Sequence, residues 1–194
     1  LVNEYAFSVR LWVDDMSSFQ RICPEIEPQL PRQHQRGVEI RRWESEFPAI
    51  IPGDVVIESF ACHLPQGFIQ AMSERKTPPV WVNLDYLSAE HWVETCHTLP
   101  SPHPNLPLTK YFFFPGFSAR TGGLLREASL EAQRRMFLQD QRQQQAFWKQ
   151  LGQDQPPPEA LRASLFCYEN PVLPDVLRCW QNGTQAICCL SFAG

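Results

Sequence analysis

The sequence predicts an α/β fold: a Rossmann-like parallel sheet domain followed by the start of a second one. Three observations carry this reading. Short apolar runs bounded by Pro or Gly recur as strand candidates. Helical segments separate them, giving the strand, helix, strand, helix, strand order that a parallel sheet with crossover helices requires. The run Pro156, Pro157 and Pro158 then marks an extended linker between a long first part and a short second part. The expected organisation is a first domain at residues 1–151, a Pro-rich linker at 152–159, and the beginning of another domain at 160–194.

In chain order, Phe7, Val9, Leu11 and Val13 alternate with polar or aromatic neighbours, as on a strand whose carboxyl end carries Asp14 and Asp15. Either Asp suits the N-cap of a following short helix, MSSFQRIC. Val38–Trp43 is another strand candidate, and Val55, Val56 and Ile57 form a continuous run of the kind buried on both faces of a parallel sheet, ended by Glu58. A helix over Leu64–Arg75 tolerates Pro65 in its first turn and spaces Phe68, Ile69 and Met72 along one side.

Val80, Val82 and Leu84 alternate on the next strand, and Ser88 can cap a helix carrying Trp92, Val93 and Cys96. After a Pro-rich loop, Tyr111–Phe114 reads as a buried aromatic strand entering a Pro-Gly turn. Thr121, Gly122 and Gly123 suit a tight turn better than an anion cradle, because no Lys follows in phosphate-loop spacing. Ala128–Leu151 reads as surface helix. Beyond the linker, ASLFCYEN is a strand, PDVLRCWQNG a helix ended at Gly183, and TQAICCLSFAG a further strand.

A length of 194 residues with 43% apolar content supports one domain or one and a part. The net charge of −4 and pI near 5.7 argue against a nucleic-acid footprint, which needs clustered Lys and Arg, and favour a basic partner. Seven cysteines without regular spacing, Cys188 and Cys189 among them, fit reduced thiols in the cytoplasm. No bilayer-length apolar run and no signal-like leader is found, so no membrane association is expected. Cys62, His63, Cys96, His97 and His103 lack the spacing that lets neighbouring ligands converge on zinc, so no metal site is assigned. Because LVNEYAF resembles the tail of a helix and Gly194 follows an apolar strand, the chain reads as a fragment.

Phe166 and Tyr168, two apart on a strand, share one face near its carboxyl end, where open parallel sheets place ligands. Such a pair can stack on a nucleobase, but the spacing by itself favours ordinary core packing of a strand.

The segments NLDYLSAEHWVETCHTLPSPHP and YFFFPGFSARTGGLLRE, supported by RLWVDD, VVIESFACHLP and LFCYENP, resemble the protein-arginine rhamnosyltransferases that modify translation elongation factor P, the EarP family. The resemblance implies an inverting, metal-independent enzyme of two-domain GT-B architecture without a cofactor. It would move L-rhamnose from the donor substrate dTDP-L-rhamnose to one arginine of elongation factor P. It also implies that Phe166 and Tyr168 bind the deoxythymidine diphosphate part of that donor. The family's acidic catalytic residues lie in DNYGDIG-type and RGEDSFVR-type segments, and neither occurs here. No catalytic role therefore passes to Asp14, Asp15 or Glu58, and this chain is expected to be an inactive, incomplete GT-B fragment. Without the first strand, the sheet should show either a gap at its centre or a rearrangement with exposed apolar edges. Two other readings stay open: a noncatalytic module that binds elongation factor P, and an unrelated Rossmann-like nucleotide-sugar binder.

Overall fold

The computed structural model of the protein describes residues 1–44, 49–165, 167 and 170–191. They fall into two units, Leu1–Leu125 and Arg126–Gly194. In the first, the single turn α1 (Val2–Tyr5) leads into β1 (Val9–Val13). Of the two candidate caps, Asp15 starts α2 (Met16–Ile22): its carboxylate accepts the amides of Ser17 and Ser18 at 2.9 and 3.1 Å and the Ser18 hydroxyl at 2.6 Å. Those bonds hold the Asp15 carboxyl below its ordinary pKa.

β2 (Arg32–Gln35) and β3 (Val38–Arg42) form a hairpin turning on Arg36 and Gly37, with φ of 51° and 81°. A two-residue hairpin turn of this kind needs both central residues in the left-handed region. The sequence reading has no strand at β2, because RQHQ carries no apolar signal. Its buried Gln33 is satisfied by the Glu27 backbone, donating to the carbonyl and accepting from the amide at 2.9 Å each. β3 lies between β2 and β1, antiparallel to the former and parallel to the latter. Met16, Cys23, Ile26 and Ile40 close a small core beside this sheet.

The second sheet combines β4 (Val55–Ser59), β5 (Val80–Leu84), β6 (Pro100–Pro102) and β7 (Thr109–Phe113) in the order β4-β5-β7-β6. β4, β5 and β7 are parallel, while β6 pairs antiparallel at the rim, where its prolines leave no inner ladder position empty. α3 (Gln66–Ser73) and the one-turn α4 (Val93–Cys96) supply the crossovers. Phe68, Ile69 and Met72 of α3 pack on Val56, Trp81 and Leu108, each fully buried side chain contributing roughly 2 kcal/mol. The other face is open. Val55 and Ile57 are 54% and 50% exposed, so the expectation of burial on both faces of β4 fails.

The first unit thus holds two sheets rather than one continuous layer. Among the described residues, β1 and β4 each pair on one side only. Their free edges face a cleft of about 840 Å³, with Val9 and Leu11 on one wall and Val55 and Ile57 on the other. Arg10 Nη1 donates to the Ile51 carbonyl at 3.4 Å.

Glu39 on this cleft gathers three guanidinium groups, with Arg10 Nε at 2.8 Å, Arg41 Nη2 at 2.8 Å and Arg32 Nε at 2.9 Å. Desolvation raises its pKa, but hydrogen bonds from Arg10 and Arg41 outweigh it and bring the carboxyl to about 2. Protons therefore bind the unfolded chain first, and the stability Glu39 contributes above its ordinary 4.5 is lost as pH falls toward about 2. Urea midpoints should drop between about pH 6 and pH 3, and Glu39→Gln should flatten that drop. An unchanged pH slope in the variant would show that Glu39 is not responsible.

The second unit begins with α5 (Leu130–Gln139) and α6 (Gln141–Gln150). The expected single helix is broken at Asp140, whose φ of −102° and ψ of 98° leave the helical region and whose carboxylate accepts the amides of Arg142 and Gln143. β8 (Leu161–Leu165), α7 (Leu173–Gln181) and β9 (Ile187–Ser191) follow, the two strands pairing in parallel from Leu161↔Ile187 to Leu165↔Ser191. Asn182 caps α7, one residue before Gly183. The molecule is mixed α/β with parallel sheets, as predicted. Among the described residues, no helix is long and apolar enough to cross a membrane.

Candidate functional site

The carboxyl edge of β4, β5 and β7 concentrates the polar and strained groups of the first unit. On the inward face, Glu58, Asn83 and Phe112 lie side by side through the register Glu58↔Asn83↔Phe112. Glu58 is 1% exposed. Its Oε1 lies 2.7 Å from Lys110 Nζ, and its Oε2 accepts Trp81 Nε1–H at 3.1 Å. Lys110 Nζ also sits 5.0 Å from the Trp81 ring centre and 5.8 Å from that of Phe112. The ammonium is thus shared between a carboxylate and two aromatic faces, so Glu58 has the surroundings of a structural ion pair rather than of an acid facing a substrate.

Beyond Ser59 the backbone changes hand. Phe60, Ala61 and His63 have φ of 57°, 53° and 53°, a region that costs residues with a Cβ about 1–2 kcal/mol each. Asn83, fully buried, holds this turn: its Oδ1 accepts the Ala61 amide at 2.9 Å. Its Nδ2 donates to Asp85 Oδ2 at 3.2 Å, and Asp85 Oδ1 accepts the Tyr86 amide at 2.8 Å. The turns after β4 and β5 are therefore joined through one side chain. Above them Phe60 and Tyr86 stack at 4.0 Å with their planes 18° apart, although both remain at least half exposed. Sequence reading missed Phe60, Asn83, Asp85 and Tyr86 as a group.

The Cys62 thiol lies above its ordinary pKa, first through desolvation and also through the nearby Glu58 carboxylate, which keeps it protonated and a poor nucleophile at neutral pH. His97 Nδ1 accepts the Phe114 amide at 3.1 Å and His103 Nδ1 the Asn105 amide at 3.3 Å, so both rings are committed to backbone. Asp14 lines the cleft and accepts the Asp15 amide at 2.8 Å. At the glycine turn, a Cβ on Gly122 would come within 2.2 Å of the Phe113 ring, so the glycine is there for close packing. The aromatic run divides: Phe114 is buried, while Phe117 is 66% exposed. Phe166 and Tyr168, the predicted donor-binding pair, lie outside the described residues, just past the end of β8.

Comparison with known proteins places these features in a family. The family model described as elongation factor P (EF-P) rhamnosyltransferase EarP matches residues 1–194. A protein-arginine rhamnosyltransferase of Pseudomonas putida is 52% identical over 173 residues, covering 89% of this chain and 45% of the relative. That of Pseudomonas aeruginosa is 48% identical over 185 residues, covering 95% and 49%. That of Neisseria meningitidis is 42% identical over 131 residues, covering 66% and 32%. The chain spans about half the length of the Pseudomonas relatives it matches. Because that family model matches residues 1–194 of the chain, the chain belongs to the EarP family of elongation factor P rhamnosyltransferases.

Proposed function

We propose that this chain is part of a cytoplasmic enzyme that transfers L-rhamnose from dTDP-L-rhamnose to an arginine side chain of translation elongation factor P, with inversion and without a metal. In this reading residues 1–151 belong to the acceptor-side domain, 152–159 to the linker and 160–194 to the donor domain of a GT-B arrangement, with α5 and α6 as the part of the acceptor side that groups with the second unit. The family match along residues 1–194 is the observation that carries this reading. Phe166 and Tyr168 are the residues proposed to hold the thymidine diphosphate.

The chemistry sets what such an enzyme needs. A guanidinium stays protonated in water, its pKa being above about 12, so it is a nucleophile only when carboxylates hold it and its proton leaves as the new bond forms. The departing diphosphate also needs stabilisation. Neither segment type that carries the family's acidic residues occurs in this sequence, so no residue here receives a catalytic role and the isolated chain is expected to bind without turning over.

Donor binding separates the readings. Calorimetry with thymidine, uridine and guanosine diphosphate sugars should show preference for the thymidine donor, lost in Phe166→Ala. No donor binding, with elongation factor P still captured, would favour the noncatalytic module. Preference for a uridine or guanosine donor would overturn the rhamnosyltransferase reading.

A further inference from the structure

We propose that the outer face of Tyr86, with the Asp85 carboxylate beside it, is the platform for the guanidinium of the arginine to be modified. The proposal rests on the arginine-directed function above and names the residues that would recognise that side chain.

Tyr86 is 65% exposed yet stacked on Phe60, so one face of the pair is backed by a ring and the other meets solvent. Backed aromatic faces at a sheet's carboxyl edge suit a flat, weakly hydrated cation, and the guanidinium is the side-chain cation that stacks in that way. Asp85 supplies the opposite charge. Its two oxygens accept one N–H each, from Tyr86 and from Asn83. An ionised carboxylate offers about four acceptor sites, which leaves room for a two-pronged guanidinium contact.

Among the described residues, Glu58 is engaged with Lys110, Glu94 with Arg120, and Glu90 with the Trp92 indole. Among the described residues, no Lys or Arg is paired with Asp85. The left-handed run at Phe60, Ala61 and His63 supplies an independent sign of a working site. Strain of that kind survives where the surroundings hold it, and here fully buried Asn83 ties the strained turn to the same carboxylate. Lysine, a compact ammonium without a planar fork, fits this arrangement poorly.

The test measures binding of the chain to elongation factor P and to its variant with the acceptor arginine changed to lysine. The arginine form should bind about tenfold tighter. Tyr86→Ala and Asp85→Asn should each erase that preference, while Tyr86→Trp, which keeps a stacking face, should retain it. An undiminished preference in Tyr86→Ala and Asp85→Asn overturns the platform and leaves the proposed function standing. If the unaltered chain binds neither form, the function reading suffers, and amide NMR titration with Nα-acetyl-arginine amide then decides the platform separately. Shifts at Tyr86 and Asp85 with arginine but not with Nα-acetyl-lysine amide support it; equal or absent shifts overturn it.

Discussion

Glu58→Ala is expected to destabilise the first unit by about 3 kcal/mol, read as a lower urea midpoint followed by tryptophan fluorescence. Removing the carboxylate leaves two donors behind, Lys110 Nζ and the Trp81 indole N–H, on the inward face of the sheet. Breaking a buried pair by removing one partner costs about 3–5 kcal/mol. The lower end applies because the Lys110 side chain keeps 20% of its surface in water and can turn partly outward. The pair itself is not expected to be worth that much. Glu58→Leu combined with Lys110→Met removes both charges together and should recover most of the loss, since apolar groups of similar volume replace buried ion pairs at little net cost. If the double variant were as unstable as the single one, packing lost at Glu58 would explain the result and the ion-pair account would fail.

How much of this was legible in the sequence depends on which residues carry the signal. The strands at Val9–Val13, Val55–Ser59, Val80–Leu84 and Thr109–Phe113 follow from apolar runs, and α2 follows from the capping chemistry of Asp15. On β5 the alternation was visible, but the inward face was not. Val80, Val82 and Leu84 look like the core set, yet Val80 is 55% exposed while Trp81 and Asn83 are 5% and 0% exposed. A two-residue period names two faces, and only what covers the sheet decides between them. Here α3 covers the Trp81 side and the Val80 side is open. A polar residue inside each apolar strand, Glu58 in VVIES and Asn83 in VWVNL, was the available signal for the site. Phe60 left none, because a left-handed conformation at an aromatic residue runs against its local preference and is imposed by tertiary contacts. The break at Asp140 could have been read, since an acid followed by a polar turn is a helix start inside an apparent helix.

Asn83→Leu should lower stability by about 2 kcal/mol and release the turn after β4 as well. The substitution keeps volume and apolar packing but removes the acceptor of the Ala61 amide and the donor to Asp85. The left-handed residues Phe60 and Ala61 are then held by one fewer bond while their local strain, about 1–2 kcal/mol each, stays the same. The turn should therefore open on its own before the unit unfolds, and hydrogen exchange at the Ala61 amide should accelerate far more than exchange at Val82. Ala61→Gly gives the complementary result. Glycine adopts a φ near 53° without penalty, so this change should be neutral or slightly stabilising in the native protein and should restore about 1 kcal/mol to Asn83→Leu. Faster exchange at Ala61 and Val82 in equal measure would mean that Asn83 acts through the sheet as a whole. Exchange at residue 61 that is slower in the double variant than in Asn83→Leu would place the tether and the strain in one local balance, the state in which Phe60 and Tyr86 are kept face to face.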